Sequence, residues 1–142
     1  MGRVPVKPTP HIMYRRSMSQ SVCARQAQRQ LQRHPDTVPV VVEADEPTLL
    51  RLSPEASAVL ESRRFAPPKT WTVAQFFAAL RSRMRLPSQY AMFLFVSREP
   101  EDNVLPCNSS TMEEVYAEHA DPSTGILWVT LVVERTFGAL CA

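Results

Sequence analysis

Three β-branched and aromatic runs constrain this chain most: VPVVVE (38–43), AMFLFV (91–96) and LWVTLVV (127–133). Each is strand-length and bounded by polar or turn-forming residues, so each reads as a β-strand. All are too short to span a bilayer as a helix. Between the first two lies VAQFFAALRSRMRL. Its apolar positions Val73, Phe76, Phe77, Leu80 and Met84 recur at helical spacing, with Thr72 placed to cap it and Leu86-Pro87 to end it. Just before it, RRFAPP (63–68) reads as a short edge strand, because two prolines exclude a central one.

The rest of the order follows from local signals. Residues 1–16 form a proline-punctuated arm, and Ser17 to Arg33 is a helix candidate capped by Ser17 or Ser19. Its apolar stripe (Met18, Val22, Ala24, Ala27, Leu31) is thin, which predicts a helix lying on a surface. The connector 44–62 is long, and Ser53-Pro54-Glu55 can start a short helix within it. Residues 97–110 read as a polar, acidic loop. Ser110 and Glu113 match a capping box that opens a helix over 111–119. The predicted order is therefore helix, β, β, α, β, α, β: an α+β protein with helices on one face of a sheet, the β-grasp arrangement of ubiquitin.

Charge divides the chain. Residues 1–35 carry seven basic side chains and no acid, leaving nine basic and fourteen acidic ones for residues 36–142. A basic arm thus precedes an acidic body, and such an arm suits acidic protein surfaces, nucleic acid or anionic lipid. Its composition also fits a transit peptide, but Pro5, Pro8 and Pro10 interrupt a helix there. Met1-Gly2 is no myristoylation signal, since position 6 is Val. Cys23, Cys107 and Cys141 form no paired motif, and reduced thiols in a cytosolic setting are expected.

Enzyme chemistry finds little support. With three glycines, phosphate-cradling loops are not expected. His11, His34 and His119 lack metal-ligand spacing, nothing marks a base for Cys107, and Glu113 and Glu114 suit a helix N-terminus. No catalytic residue, metal or cofactor is assigned. RSRMR (81–85) reads as a solvated helix face and not a nucleic-acid platform.

Five stretches in register carry a resemblance: HPDTVPVVVE, RRFAPPKTWTVAQFFAALRSRMRL, AMFLFV, STMEEVYAEHAD and TFG. Together, from about His11 to Gly138, the chain resembles the ubiquitin-like autophagy modifiers of the GABA-receptor-associated and microtubule-associated light-chain type. The resemblance implies a four-stranded mixed sheet with two helices in the core domain (36–138), an N-terminal helical extension (1–35) and a removable stub (139–142). It implies cleavage between Gly138 and Ala139 by a dedicated cysteine protease. Gly138 would then pass through activating and conjugating enzymes to phosphatidylethanolamine, so that a cytoplasmic pool joins autophagosomal membranes. Glycine suits that place because no Cβ obstructs attack on its carboxyl group.

The resemblance also implies a groove for acidic aromatic-x-x-aliphatic adaptor peptides, which add a strand to the Arg64–Pro68 edge. Phe65, Pro68, Trp71, Phe76 and Leu80 would line one pocket, with Arg83 meeting acidic groups of the peptide. At the other pocket Ala66 replaces a usual Leu, Gln30 a usual Ile, and Ile126 an aromatic residue, so a wider and more polar site is expected. Pro67 is expected to cost the edge a backbone donor. Connector 44–62 and loop 97–110 are longer than usual in the family. The runner-up is an unconjugated or protein-conjugated β-grasp interaction module, cytoskeletal through contact of the basic arm with tubulin, or an autophagy scaffold.

Overall fold

The computed structural model describes residues 19–61, 63–100 and 102–135. In chain order the elements are α1 (Gln20–Arg33), β1 (Val40–Ala44), α2 (Glu46–Arg51), α3 (Pro54–Glu61), β2 (Arg64–Phe65), α4 (Val73–Met84), β3 (Tyr90–Ser97), α5 (Met112–His119) and β4 (Leu127–Arg135). The strands form one sheet in the order β2-β1-β4-β3. The central pair β1 and β4 is parallel, and β2 and β3 flank it antiparallel. The mixed sheet expected from the sequence is therefore present, with β2 at an edge.

Alternation along the strands sorts the core onto two faces. Val40, Val42, Leu127, Val129, Leu131, Met92 and Leu94 point to one face, where they pack with Val73, Phe76, Leu80 and Met84 of α4 and Met112 and Val115 of α5. Val41, Ile126 and Trp128 point to the other, where Cys23 and Ala27 of α1 cover them. Helices thus lie on both faces, not on one as expected. The thin stripe of α1 is enough because two small buried residues, Cys23 and Ala27, let the helix approach the sheet closely.

The helix starts show how packing resolves a local ambiguity. Ser110/Glu113 and Thr111/Glu114 both satisfy the capping-box pattern. The structure uses Thr111: its side chain accepts from Glu114 N, while Glu114 reaches back to Thr111 N. This start puts Met112 and Val115 in the core and lets Trp71 O accept from Met112 N at 2.7 Å. The Thr72/Gln75 box opens α4 in the same way. Gly125, at φ +69, closes the turn into β4, and Tyr116 Oη donates to its carbonyl at 2.6 Å.

The long connector holds two helices where the sequence suggested one. The helix α3 starts at Pro54 as read, and α2 is additional. Asp45 caps α2 through Thr48 N. This extra helix has a definite task. Pairing with β1 stops at Leu131, yet β4 runs on to Arg135. There Thr48 Oγ1 accepts from Val133 N at 3.0 Å, and Arg51 Nη1 donates to Val133 O at 2.7 Å. Two side chains replace the missing strand and leave no bare ladder group at that position.

Candidate functional site

The site is built from the free edge of β2 and the apolar hollow beneath it. Arg63, in a left-handed conformation at φ +59, turns the chain from α3 into the strand. Val40 stands opposite Phe65, while Val42 N donates to Arg63 O at 2.7 Å and Val38 N to Pro67 O at 2.9 Å. Arg63, Phe65 and Pro67 therefore turn their backbone groups towards β1. By the alternation of an antiparallel ladder, Arg64 and Ala66 turn theirs outward. As β2 ends the sheet, these outward N–H and C=O groups are a template for one more strand.

This register corrects one expectation. The donor that Pro67 lacks faces Val38 and not the open edge. The edge keeps the N–H groups of Arg64 and Ala66, the two that an added strand needs.

Below the edge lies an open hollow of about 210 Å³, lined by Phe65, Ala66, Pro67, Pro68, Trp71, Phe76, Ala79, Leu80 and Arg83. A cavity of about 150 Å³ already admits a benzene-sized group, so this one takes an aliphatic or aromatic side chain. Phe76 and Leu80, 5% and 2% exposed, are its floor and belong equally to the core. Phe65 and Trp71, both half-buried, are its walls. The rings of Phe65 and Phe76 meet edge-on at 6.2 Å and 73°. Arg83 is exposed, and its guanidinium lies 5.7 Å from the Phe65 ring centre, held at the rim by a cation–π contact.

Of the groove residues read from the sequence, Phe65, Pro68, Trp71, Phe76, Leu80 and Arg83 lie around this one cavity, and Ala66, expected at the other pocket, lines it too. Arg64 does not line the cavity; it is exposed on the strand edge. Pro67 and Ala79 line it and were not foreseen. Ala79 stands three residues after Phe76 on the same helix face, so spacing carried the signal while its small size concealed it.

The residues expected at a second pocket are Gln30, Ala66 and Ile126. Gln30 Nε2 donates to Thr37 Oγ1 at 3.1 Å, and Thr37 Oγ1 donates to His34 O at 2.8 Å. Ile126 is only 2% exposed and is sealed among Cys23, Ala27, Val41 and Trp128, while Ala66 is exposed on the outer strand edge. Burial raises the Cys23 thiol pKa, against the opposing field of Arg64. Cys107 is exposed, and a hydrogen bond with Ser109 lowers its thiol pKa. Gly138, Ala139 and the arm before Ser19 lie outside the described residues, as does His11. Among the described residues no group of His, Cys, Asp or Glu is arranged to hold a metal ion, and no helix is long and apolar enough to cross a membrane.

Comparison with known proteins agrees with this fold. The family model described as autophagy protein Atg8, ubiquitin-like, matches residues 23–138. Autophagy-related protein 8 of Mycosarcoma maydis is 33% identical over 115 residues, covering 81% of this chain and 86% of the relative. The Penicillium rubens protein of the same name matches to the same extent. Among solved structures, the crystal structure of Trypanosoma brucei ATG8 superposes with a TM-score of 0.70 at 26% identity, covering 91% of this chain and all of that one.

Proposed function

The chain belongs to the Atg8 family of ubiquitin-like autophagy proteins, and from that premise we propose that it is a lipid-conjugated modifier whose β2 groove recruits adaptor peptides. The observation that carries this reading is the outward-facing edge of Arg64 and Ala66 set directly over an apolar cavity. Strand addition needs both parts: the edge supplies main-chain affinity, and the cavity selects one side chain of the incoming strand. Arg83 at the rim supplies the charge that an acidic flank on the peptide would meet. The reading makes the protein a modifier and not an enzyme.

The covalent part rests on the Gly138 tail. A cysteine protease hydrolyses the Gly138–Ala139 peptide bond, leaving a Gly138 carboxylate and releasing Ala139 to Ala142. An activating enzyme joins that carboxylate to AMP from ATP, with pyrophosphate leaving. An enzyme thiolate displaces AMP to form a thioester. The amine of phosphatidylethanolamine then displaces the thiol and forms the amide. Residues 36–138 serve as the ubiquitin-like domain, and the product moves from the cytoplasm to the autophagosomal membrane.

Incubation with the family's protease and conjugation enzymes, followed by mass spectrometry, tests this. The wild type should lose four residues and gain lipid, and a chain ending at Gly138 should gain lipid without the protease. Gly138→Ala should slow both steps by about a hundredfold, since small misplacements at a reacting centre cost about that much. A wild type that keeps Ala142, or a truncated chain that never gains lipid, refutes the reading in favour of an unconjugated binding module.

A further inference from the structure

The additional helix α2 carries the most exposed large apolar side chains at the end of the sheet where β4 finishes. Leu50 is 82% exposed and Leu49 46%, although the neighbouring Thr48 is fully buried. Thr48 and Arg51 fasten this helix to Val133, so the two leucines are held in a fixed place beside the last turn of β4. Among the described residues, packing leaves them uncovered.

Charge at this end is mixed. Arg51 on α2 and Arg135 at the end of β4 are exposed. Arg85 is exposed in the α4–β3 turn, which lies at the same end because Tyr90 pairs with Arg135. Glu46 on α2 and Glu55 in the first turn of α3 are exposed acids of the same neighbourhood. An apolar tip with arginines among its neighbours suits a bilayer interface, where leucine enters the acyl boundary and arginine stays among the headgroups.

The covalent chain supplies the second observation. Only Thr136 and Phe137 separate Arg135 from Gly138, and three extended Cα-to-Cα steps span at most about 10 Å. A lipid on Gly138 would hold this end of the sheet against the membrane. Resting on the lipid-conjugated reading above, we propose that Leu49 and Leu50 form a second membrane contact, so that the anchored protein sits with α2 on the bilayer and the β2 groove held in a set orientation. One lipid chain pair alone leaves a domain free to rotate about its tether; a second, rigidly held contact removes that freedom.

A lipid-proximity measurement tests the contact without the conjugation enzymes. The processed form, residues 1–138, carries Cys107→Ser and either Leu50→Cys or Leu105→Cys, labelled with an environment-sensitive dye. Cys23 is buried and stays unlabelled. Leu105 is an exposed control at the opposite end, since its neighbour Val104 pairs with Val96 and Val96 with Val129. A histidine tail after Gly138 holds each protein on nickel-chelating vesicles of phosphatidylcholine and phosphatidylserine at roughly four to one, with anchoring verified by flotation.

The dye at position 50 should shift to the blue, and brominated lipids should quench it about threefold or more beyond the dye at 105. A water-like signal at 50 on floated protein overturns the proposal and leaves the leucines to a protein partner. Enzymatic conjugation is scored separately. A chain that never gains lipid but shows the shift refutes the modifier reading and leaves the membrane face standing.

Discussion

Replacing Ala66 by proline would test the groove at its most exposed assumption. Ala66 stands opposite Pro39 in a pair without ladder hydrogen bonds, so its N–H faces outward and β1 loses nothing when it is removed. Phe65, which would then precede a proline, is already extended in β2, as that position requires. The fold should therefore keep its stability to within about 1 kcal/mol. A peptide added to the edge would lose one main-chain bond, and its own carbonyl would be left unpaired in the closed complex. Such a loss costs about 1.5–3 kcal/mol, roughly 10- to 150-fold in affinity. Calorimetric titration of an acidic aromatic-x-x-aliphatic peptide against wild type, Ala66→Pro and Ala66→Ser measures it. The serine variant keeps the donor and should bind within about threefold of wild type. If the proline variant melts normally and binds as tightly as wild type, the peptide does not add to this edge, and the outward register of Arg64 and Ala66 has no role in recognition.

Other outcomes follow from single contacts. Arg83→Glu should weaken peptides with acidic flanks by about 1–2 kcal/mol and neutral ones much less, because attraction becomes repulsion at an exposed rim; equal losses for both peptides in the same titration count against that role. Thr48→Val keeps the shape but leaves Val133 N unpaired in a buried place, so urea denaturation should show a loss of about 1–3 kcal/mol. Glu114 has its pKa lowered by hydrogen bonds from Thr111, so its contribution is complete above the unfolded carboxylate value and is lost as pH falls through the lower folded value. Thermal melts of wild type should accordingly drop more than those of Glu114→Gln as pH goes below about 4, and parallel curves would refute the assignment.

Much of this molecule was legible in one dimension. The strands announced themselves through β-branched runs, and α4 through the spacing of Val73, Phe76, Leu80 and Met84, because burial on one face imposes a period that composition alone can reveal. The same period put Phe76, Leu80 and Arg83 within reach of one another, so most of the groove could be assembled from spacing and resemblance. Local signals failed where they were degenerate. Two adjacent capping boxes were equally good until the core chose the one that buries Met112. The effect of Pro67 was misjudged for a related reason: a sequence states that a donor is missing, but only strand register states which way it would have pointed.

The amino-acid sequence by itself determined which segments become strands and helices, since propensity and periodicity are properties of neighbours in the chain. It also determined which side chains could serve the groove, because those are chemical identities. Tertiary structure alone decided that α1 covers the second face of the sheet, that the β2 edge keeps its donors, and that Thr48 and Arg51 bind Val133 across more than eighty residues of chain. Each of these depends on contacts between distant segments, whose geometry comes from packing one element on another and leaves no mark in local spacing.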